Sequence, residues 1–341
     1  MMQNNGDLNA VSRTGSSPLY LLDASIYIFQ AHFSSWQFVS SVDGEDRSAF
    51  YGFAQSLFRL LRLIGYHRAP QAVPEVQPRL AVAFDESLFS GFRHRLYADY
   101  KSNRVLPDDN LAWQLKACRS LCQSLGIPEF ASEEYEADDL IGTLAHRYHQ
   151  QSPVVIVSRD KDLGQLLAGD TDCLWDIQQA VPKTRAVLNE QLGIWPEQIP
   201  CYLGLTGDAV DCIPGVPGIG PKAASGLLQA YPDMPSIYAE PERIASLAFR
   251  GARTCAEKLL TFQKQAILSR QLATIVCDCQ TAELAAFSDA SLALQYGNLP
   301  HWNVIADHSV LGEAALQKAD LMRLENAFRS LDPLRDKEGT V

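Results

Sequence analysis

The sequence predicts an α/β fold, a doubly wound and mostly parallel sheet, and three observations carry that prediction. Three short apolar runs, Pro18–Leu22 (PLYLL), Leu80–Phe84 (LAVAF) and Pro153–Ser158 (PVVIVS), read as strands buried on both faces. Helical patterns separate them, over Ser48–Ile64, Asp109–Leu125 and Leu140–His149. Each run also leads into an acid: Asp23, Asp85 and, just past Arg159, Asp160. In open parallel sheets, sites form beyond the carboxyl ends of the strands, so these acids are expected along one edge.

Taken in order, residues 1–17 are polar, lack an apolar signal-like region and read as a disordered leader. No apolar run is long enough to span a bilayer, so a cytoplasmic, non-membrane protein is expected. Ala69–Pro78, with three prolines, reads as a loop. After Asp176 the pattern changes. Gly, Pro and short helical segments dominate Trp195–Ala230, and helices follow to about Ala273. The domains are therefore drawn as 18–190 and 191–296, with 297–341 unassigned. Eight cysteines, without a C-x-x-C pair or a His at zinc-finger spacing, read as buried thiols in a reducing compartment.

The strongest local signal is Tyr135–Leu140 (YEADDL), with Glu136, Asp138 and Asp139 just before a helix. Helix capping accounts for one or two acids there. It gives no reason for a third, since crowded carboxylates resist joint ionisation, whereas a bound cation does. Asp160 and Asp162 directly follow a strand, a weak signal alone because turns are rich in Asp. Asp208 and Asp211 would share a face if their turn were helical, with a solvated face as the plain alternative. Together these make nine carboxylates: Asp23, Asp85, Glu136, Asp138, Asp139, Asp160, Asp162, Asp208 and Asp211. Hard cations such as Mg²⁺ and Mn²⁺ take oxygen ligands, and a set without Cys or His argues against structural zinc. The net charge of −11 weighs against a nucleic-acid partner only until these nine are set aside, which leaves the remainder near −2.

Two segments suit a phosphate backbone. Phe89–Arg104 (FSGFRHRLYADYKSNR) carries Arg93, Arg95, Lys101 and Arg104 against Asp99 alone, with Tyr97 and Tyr100 interleaved where they could stack on bases. The plain reading is an exposed helix with snorkelling cations, ended by Val105-Leu106-Pro107. Ile213–Ala223 (IPGVPGIGPKA) fails as a P-loop, because Pro221 interrupts Gly-Lys and no strand precedes it. It reads better as a tight Gly turn between two short helices, whose N–H groups around Gly215, Gly218 and Gly220, with Lys222, can meet a phosphate.

These stretches, LLDASIYIFQAHF, VAFDESLFSGFRHRLYADYKSNR, YEADDLIGTLA, SRDKDLGQLL and GLTGDAVDCIPGVPGIGPKAASGLL, occur in the order seen in the 5′–3′ exonuclease domain of bacterial DNA polymerase I. The chain resembles that family, with its phage 5′ nucleases and eukaryotic flap endonucleases, over about residues 18 to 280. The resemblance implies a PIN-like α/β domain with a helical arch (about residues 88–112) and a helix–three-turn–helix DNA-binding element. It implies that Asp23, Asp85, Glu136 and Asp138 hold a first metal, and that Asp139, Asp160, Asp162, Asp208 and Asp211 serve a second and its surroundings. Arg93 and Lys101 match arch-base cations that contact the scissile phosphate. Gly215, Gly218, Gly220 and Lys222 match the duplex-binding hairpin, where the family often holds K⁺. Arg95, Tyr100 and Arg104 join the expected DNA contacts. Two positions depart from the family's first motif: Ala24 stands where Gly is usual, and Gln30 where Arg is frequent. The expectation is a free-standing, monomeric 5′–3′ exonuclease and flap endonuclease. It would use two or more Mg²⁺ or Mn²⁺ ions on DNA with 5′ ends, flaps or nicks. A PIN-type ribonuclease, or a non-catalytic DNA-junction module with a vestigial site, are the alternatives. The first predicts about four acids and no such hairpin, and the second tolerates lost acids.

Overall fold

A computed structural model describes residues 17–35, 45–64, 79–87, 89–249, 251–288, 292 and 325–326. Residues 1–16 of the expected leader, the Ala69–Pro78 loop and nearly all of 297–341 lie outside these. Six strands form one sheet: β1 (Leu19–Asp23), β2 (Arg79–Asp85), β3 (Glu129–Ser132), β4 (Val154–Val157), β5 (Cys173–Trp175) and β6 (Lys183–Thr184). Their order is β3-β2-β1-β4-β5-β6, all parallel except the β5–β6 pair. β1 is central, with Leu21 level with Ala81 on one side and Ile156 on the other. The chain leaves β1 towards β2 and later returns to its other flank as β4, so the order reverses at β1.

Alternation along the strands supplies both faces. Tyr20, Leu22, Val82, Phe84, Val155 and Val157 pack with helices α1 (Ala24–His32), α2 (Ser48–Leu63) and a later helix, Asp109–Ser124. Leu19, Leu21, Ala81, Ala83 and Ile156 pack on the opposite face against Leu140, Leu144 and Tyr148 of the helix Ala137–Tyr148. Two-sided burial is why these strands are continuously apolar.

The basic segment departs from expectation. Helix α3 covers only Phe92–Leu96; Tyr97 turns extended, Lys101 takes a left-handed φ of 50°, and α4 starts at Asp109 and runs to Ser124. The described part of the expected helical arch is thus one short helix followed by turns. Tertiary docking overrides local propensity here: the Tyr100 ring is buried in the second core, among residues of the helices described next.

After α5 (Ala137–Tyr148) come α6 (Arg185–Leu192), α7 (Ile199–Thr206), α8 (Pro221–Ala230), α9 (Met234–Ala239), α10 (Pro241–Ile244), α11 (Ala252–Thr261), α12 (Gln263–Ala273) and α13 (Ala282–Ala286). A core of Leu203, Leu205, Ile219, Leu227, Ile237 and Leu259 unites most of them. The Gly turn lies between α7 and α8. Gly215, at φ 61°, packs so closely that a Cβ would collide with the backbone of Thr206 and Gly207. Of the eight cysteines, six are buried, and Cys212 and Cys277 are partly exposed; all are free thiols. No described helix is long and apolar enough to cross a membrane.

Candidate metal centre and nucleic-acid interface

Strand ends build the centre. Asp23 closes β1 and caps α1, accepting from the Ile26 amide. Its other oxygen accepts from Ser158 Oγ at 2.8 Å, and the same hydroxyl accepts from the Asp160 amide at 3.0 Å. Asp85 closes β2; its amide donates to Ser25 Oγ, and its carboxylate accepts from the Ala137 amide at 2.7 Å. Glu136 is the N-cap of α5, in a capping box with Asp139. Asp162 opens a 3₁₀ turn after β4, its amide donating to Asp160 at 2.8 Å. Asp208 opens a tight loop closed by an Asp208–Ile213 bridge, with Asp211 inside it, so this turn is not helical and the expected sharing of a helix face does not apply; Cys212 within it has φ 57°.

Electrostatics show how closely these groups face one another. Burial pushes Asp23 up to about 7, and Asp85 and Asp160 add to the rise. Burial raises Asp138 strongly, with Asp160, Asp23 and Asp85 adding their charge. Asp162 also rises to about 7, through burial, Asp160, Asp208 and Asp211. Asp85 and Asp160 rise too, burial first in each case. Glu136 runs the other way: burial opposes ionisation, but Lys101 and Arg93 outweigh it and hold the carboxyl down at about 2. One edge of the sheet thus carries several carboxylates that cannot all ionise comfortably without added positive charge.

The donor set fits a hard divalent cation: it is all carboxylate oxygen, buried or half-buried and mutually repelling. Among the described residues no three His, Cys, Asp or Glu side chains already close into a metal cage. Some of their oxygens accept local hydrogen bonds instead, and Mg²⁺ in any case keeps several waters and needs few direct carboxylates.

The cations divide by role. Lys101 Nζ donates to Glu136 at 2.8 Å, stands 3.7 Å from Asp211 and is almost fully buried at the centre. Its backbone amide donates to the Asp211 carbonyl at 3.0 Å, and Asn103 and Arg104 bond the same loop. Arg104 is exposed and pairs with Asp211 at 2.9 Å. Arg95 is exposed and pairs with Glu134.

Three expectations need correction. Tyr100 is 2% exposed and donates to Glu136 at 3.1 Å, so its ring cannot reach a base. Arg93 and Asp139 are both buried and form a two-pronged ion pair at 2.6 and 2.7 Å. Arg93 also donates to the Leu272 and Thr274 carbonyls, and Asp139 accepts from the Glu136 and Val276 amides. With those bonds made, neither side chain faces a phosphate or a metal. The pair ties α3 and the start of α5 to the end of α12.

The Gly turn joins α7 to α8. Gly215 and Gly218 have positive φ, and Lys222, in the first turn of α8, is exposed. Among the described residues the amides of Gly218 and Gly220 donate to no protein acceptor. Three braces had no signal in the sequence: Lys258 Nζ donates to the Gly218 carbonyl, Gln265 to the Gly215 carbonyl, and Ser269 Oγ accepts from the Gly215 amide. Lone polar residues on distant helices carry no motif. Ser158, which joins Asp23 to Asp160, carries no motif either; its place at a strand end two residues before Asp160 is the available hint.

Comparison with known proteins agrees along the chain. The family described as 5′-3′ exonuclease, N-terminal resolvase-like domain, matches residues 18–193, and that described as 5′-3′ exonuclease, C-terminal SAM fold, matches 194–292. A 5′-3′ exonuclease of Buchnera aphidicola is 33% identical over 266 residues, 78% of this chain and 88% of that protein. DNA polymerase I of Pseudomonas aeruginosa is 36% identical over 77% of this chain, which corresponds to 28% of the polymerase. Among solved structures, T5 5′-exonuclease with bound zinc ions superposes with a TM-score of 0.55 at 18% identity, covering 92% of this chain and 99% of that one. The catalytic core of Rad2 with DNA substrate gives 0.53 at 14%, covering 93% of each chain.

Proposed function

The chain belongs to the 5′-3′ exonuclease family, nucleases that hydrolyse DNA, and on that footing we propose that it is a two-metal 5′ exonuclease and flap endonuclease. Its work is in DNA replication or repair, as a cytoplasmic monomer acting on 5′ ends, flaps and nicks. One observation carries the reading: five separate chain segments bring carboxylates to the C-terminal edge of the sheet, where Lys101 joins them.

In this reading Asp23, Asp85, Glu136 and Asp138 face one divalent cation, and Asp160, Asp162, Asp208 and Asp211 the second. Mg²⁺ is the natural occupant, with Mn²⁺ as a substitute. When bound, the two ions supply an activated water and stabilise the leaving oxygen of a phosphodiester. The chain's own groups do the rest. Ser158 and Ser25 fix the two strand-end carboxylate segments, and Glu136 holds Lys101 inside the site. Arg104 lies at the rim, where it attracts the strand. Arg93 and Asp139 hold the elements in place. The domains follow as a nuclease domain to about residue 190 and a helical DNA-binding region to about 296; a K⁺ ion at the hairpin would have to displace Lys258 from the Gly218 carbonyl and Gln265 from the Gly215 carbonyl.

The test is cleavage of labelled nicked, flap and single-stranded DNA with Mg²⁺ and after exhaustive EDTA treatment. Cutting of 5′ structures with Mg²⁺ alone is expected. Full activity in EDTA, or preference for RNA, overturns the proposal.

Lys222 and the amides of Gly218 and Gly220 are assigned to the duplex backbone, away from the chemistry. Lys222→Ala should weaken binding to all sequences alike and reduce the salt slope of log K by about one unit. An unchanged slope removes Lys222 from the interface.

Stability should report the metals independently of activity. Asp23 and Asp162 rise from 3.8 to about 7 on folding. A carboxyl raised in this way stabilises the fold fully below about pH 4, and that contribution fades as pH climbs to about 7. Metal-free protein should therefore melt progressively lower between pH 5 and 8. Mg²⁺, which needs the ionised carboxylates, should restore the loss most at pH 8, by about 2–3 kcal/mol at a hundredfold excess over its dissociation constant. Glu136, held down at about 2, contributes fully throughout this range and loses its contribution only as pH falls below about 4.5, so it leaves the trend unchanged. An Mg²⁺-induced melting shift equal at pH 5.5 and 8 contradicts this account.

A further inference from the structure

Beyond Lys101 and Arg104, a second cationic contact stands on the opposite flank of the carboxylates. Arg159 follows Ser158 at the end of β4 and directly precedes Asp160. Its side chain is 43% exposed, and its one ion-pair partner among the described residues is Asp176, just past β5, at 3.4 Å with Nε. Asp176 is largely covered and accepts from the Gln178 amide at 3.0 Å. Next to it, the Ile177 amide donates to Tyr27 on α1, and the Tyr27 hydroxyl lies within electrostatic reach of Asp176, Asp23 and Arg159 together. Gln178 also meets Gln30 of α1, at 3.5 Å. A polar ledge thus runs along the C-terminal ends of β1, β4 and β5, bordering the carboxylates on the side away from Lys101.

Chemistry separates this ion pair from a structural brace. The Arg93–Asp139 pair is fully buried, two-pronged and supplemented by backbone bonds. Arg159 offers a single long contact through Nε, which leaves the two terminal nitrogens of its fork for another acceptor. A single long contact of that kind, with its cation open to solvent, contributes little to the stability of the fold. A phosphate, with several acceptor oxygens, is a better partner for a planar guanidinium than one distant carboxylate oxygen.

We propose that Arg159 grips a backbone phosphate of the nucleic-acid strand on the β5 side of the reacting bond, and that Asp176 holds the guanidinium in position until the strand displaces it. The strand then passes between cations on both flanks, Lys101 and Arg104 on one and Arg159 on the other. This offsets the repulsion from the carboxylates that it must cross. Asp176 acts as a positioning residue and a competitor: it aims Arg159 and reduces the affinity of the open site.

The inference rests on the nuclease reading, and the experiment separates the two. Binding of a labelled duplex with a 5′ single-stranded extension is measured by fluorescence anisotropy in Ca²⁺ over a series of KCl concentrations. Cleavage in Mg²⁺ is followed alongside, with Asp160→Ala as the inactive control. Arg159→Ala should weaken binding about three- to tenfold at low salt and reduce the salt slope by about one unit. Arg159→Lys should keep the slope. Asp176→Asn, which retains an oxygen for the Gln178 amide, should tighten binding, and the Arg159→Ala/Asp176→Asn double variant should behave as Arg159→Ala. Melting temperatures of all variants should stay within a few degrees of the parent. If Arg159→Ala keeps the parental affinity and slope, or if Asp176→Asn weakens binding as much as Arg159→Ala, the proposal is wrong while the nuclease reading stands. If the parent neither binds nor cuts DNA, the reading itself has failed, and this inference with it.

Discussion

Asp160→Ala should lower the rate of DNA cleavage about a thousandfold or more, well beyond the roughly 10–100-fold that outer-shell partners of a metal contribute. Asp160 occupies the middle of the carboxylate group. It adds to the raised pKa of Asp23, Asp138 and Asp162 alike, so it faces all three. Removing it deletes a metal ligand from the reading proposed above. It also removes a negative charge that repels the incoming phosphate, so DNA binding should hold or tighten. The EDTA-treated variant should melt higher than the parent, because one strained, half-buried carboxylate has gone.

Asp139 supplies the contrast. Asp139→Asn takes from the buried Arg93 guanidinium its two-pronged partner and leaves only Glu136, 3.6 Å away, as counter-charge, a defect that costs up to about 3–5 kcal/mol where one partner of a buried pair is removed. Its melting temperature in EDTA should fall. The two substitutions therefore shift metal-free stability in opposite directions, although both remove an aspartate from the same nine. Stabilisation of the EDTA-treated protein by Asp139→Asn would return Asp139 to the metal cluster. Cleavage at a near-parental rate by Asp160→Ala would sink the assignment of the centre.

The contrast also marks how far the sequence could be read. Apolar runs long enough for buried strands, each ending in an acid, made the sheet legible and placed Asp23, Asp85 and Asp160 on one edge, because strand direction alone decides which end a residue occupies. Strand β3 is as short as β4 but carries only two apolar residues, Phe130 and Ala131, between polar ends, and β5 and β6, of three and two residues, are too short for a periodic signal, so none of the three is legible. Burial along the basic segment was illegible for a different reason. Tyr100 and Arg93 look like surface residues in FRHRLYADYK, since nothing local records that Leu272 and Thr274, some 180 positions away, supply acceptors for Arg93. Nor does local pattern record that the Asp208–Ile213 loop captures the backbone of Lys101. Residue types foretold the chemistry, whereas long-range partners decided which members of the set were free to take part.

Lys101 is the member of that basic segment left facing the centre, and its replacement should give the second large effect. The left-handed backbone at Lys101, with φ 50°, is fixed by the bond from its amide to the Asp211 carbonyl, and strain held in this way commonly accompanies a functional position. Glu136 accepts one Nζ–H at 2.8 Å, leaving further ammonium donors for an anion arriving over the carboxylates. A phosphodiester gains negative charge as water attacks. A cation already fixed at that point stabilises the transition state more than the ground state, because no reorganisation is needed when the charge develops. Lys101→Ala should cut the single-turnover rate at saturating enzyme by about a hundredfold or more, as loss of one preorganised donor does elsewhere. The DNA dissociation constant should change far less, since the Lys101 charge is buried and already offset by Glu136 before DNA arrives. Glu136 would lose the partner that most strongly holds its carboxyl down near 2, so the residual activity should also become more sensitive to acid. Arg104→Ala should show the reverse kinetic division, with weaker binding and a nearly normal rate for bound DNA, because Arg104 is exposed at the rim and pairs with Asp211. If Lys101→Ala binds DNA weakly yet cleaves what it binds at the parental rate, Lys101 is a steering residue like Arg104, and charge developing on the phosphate is met without it.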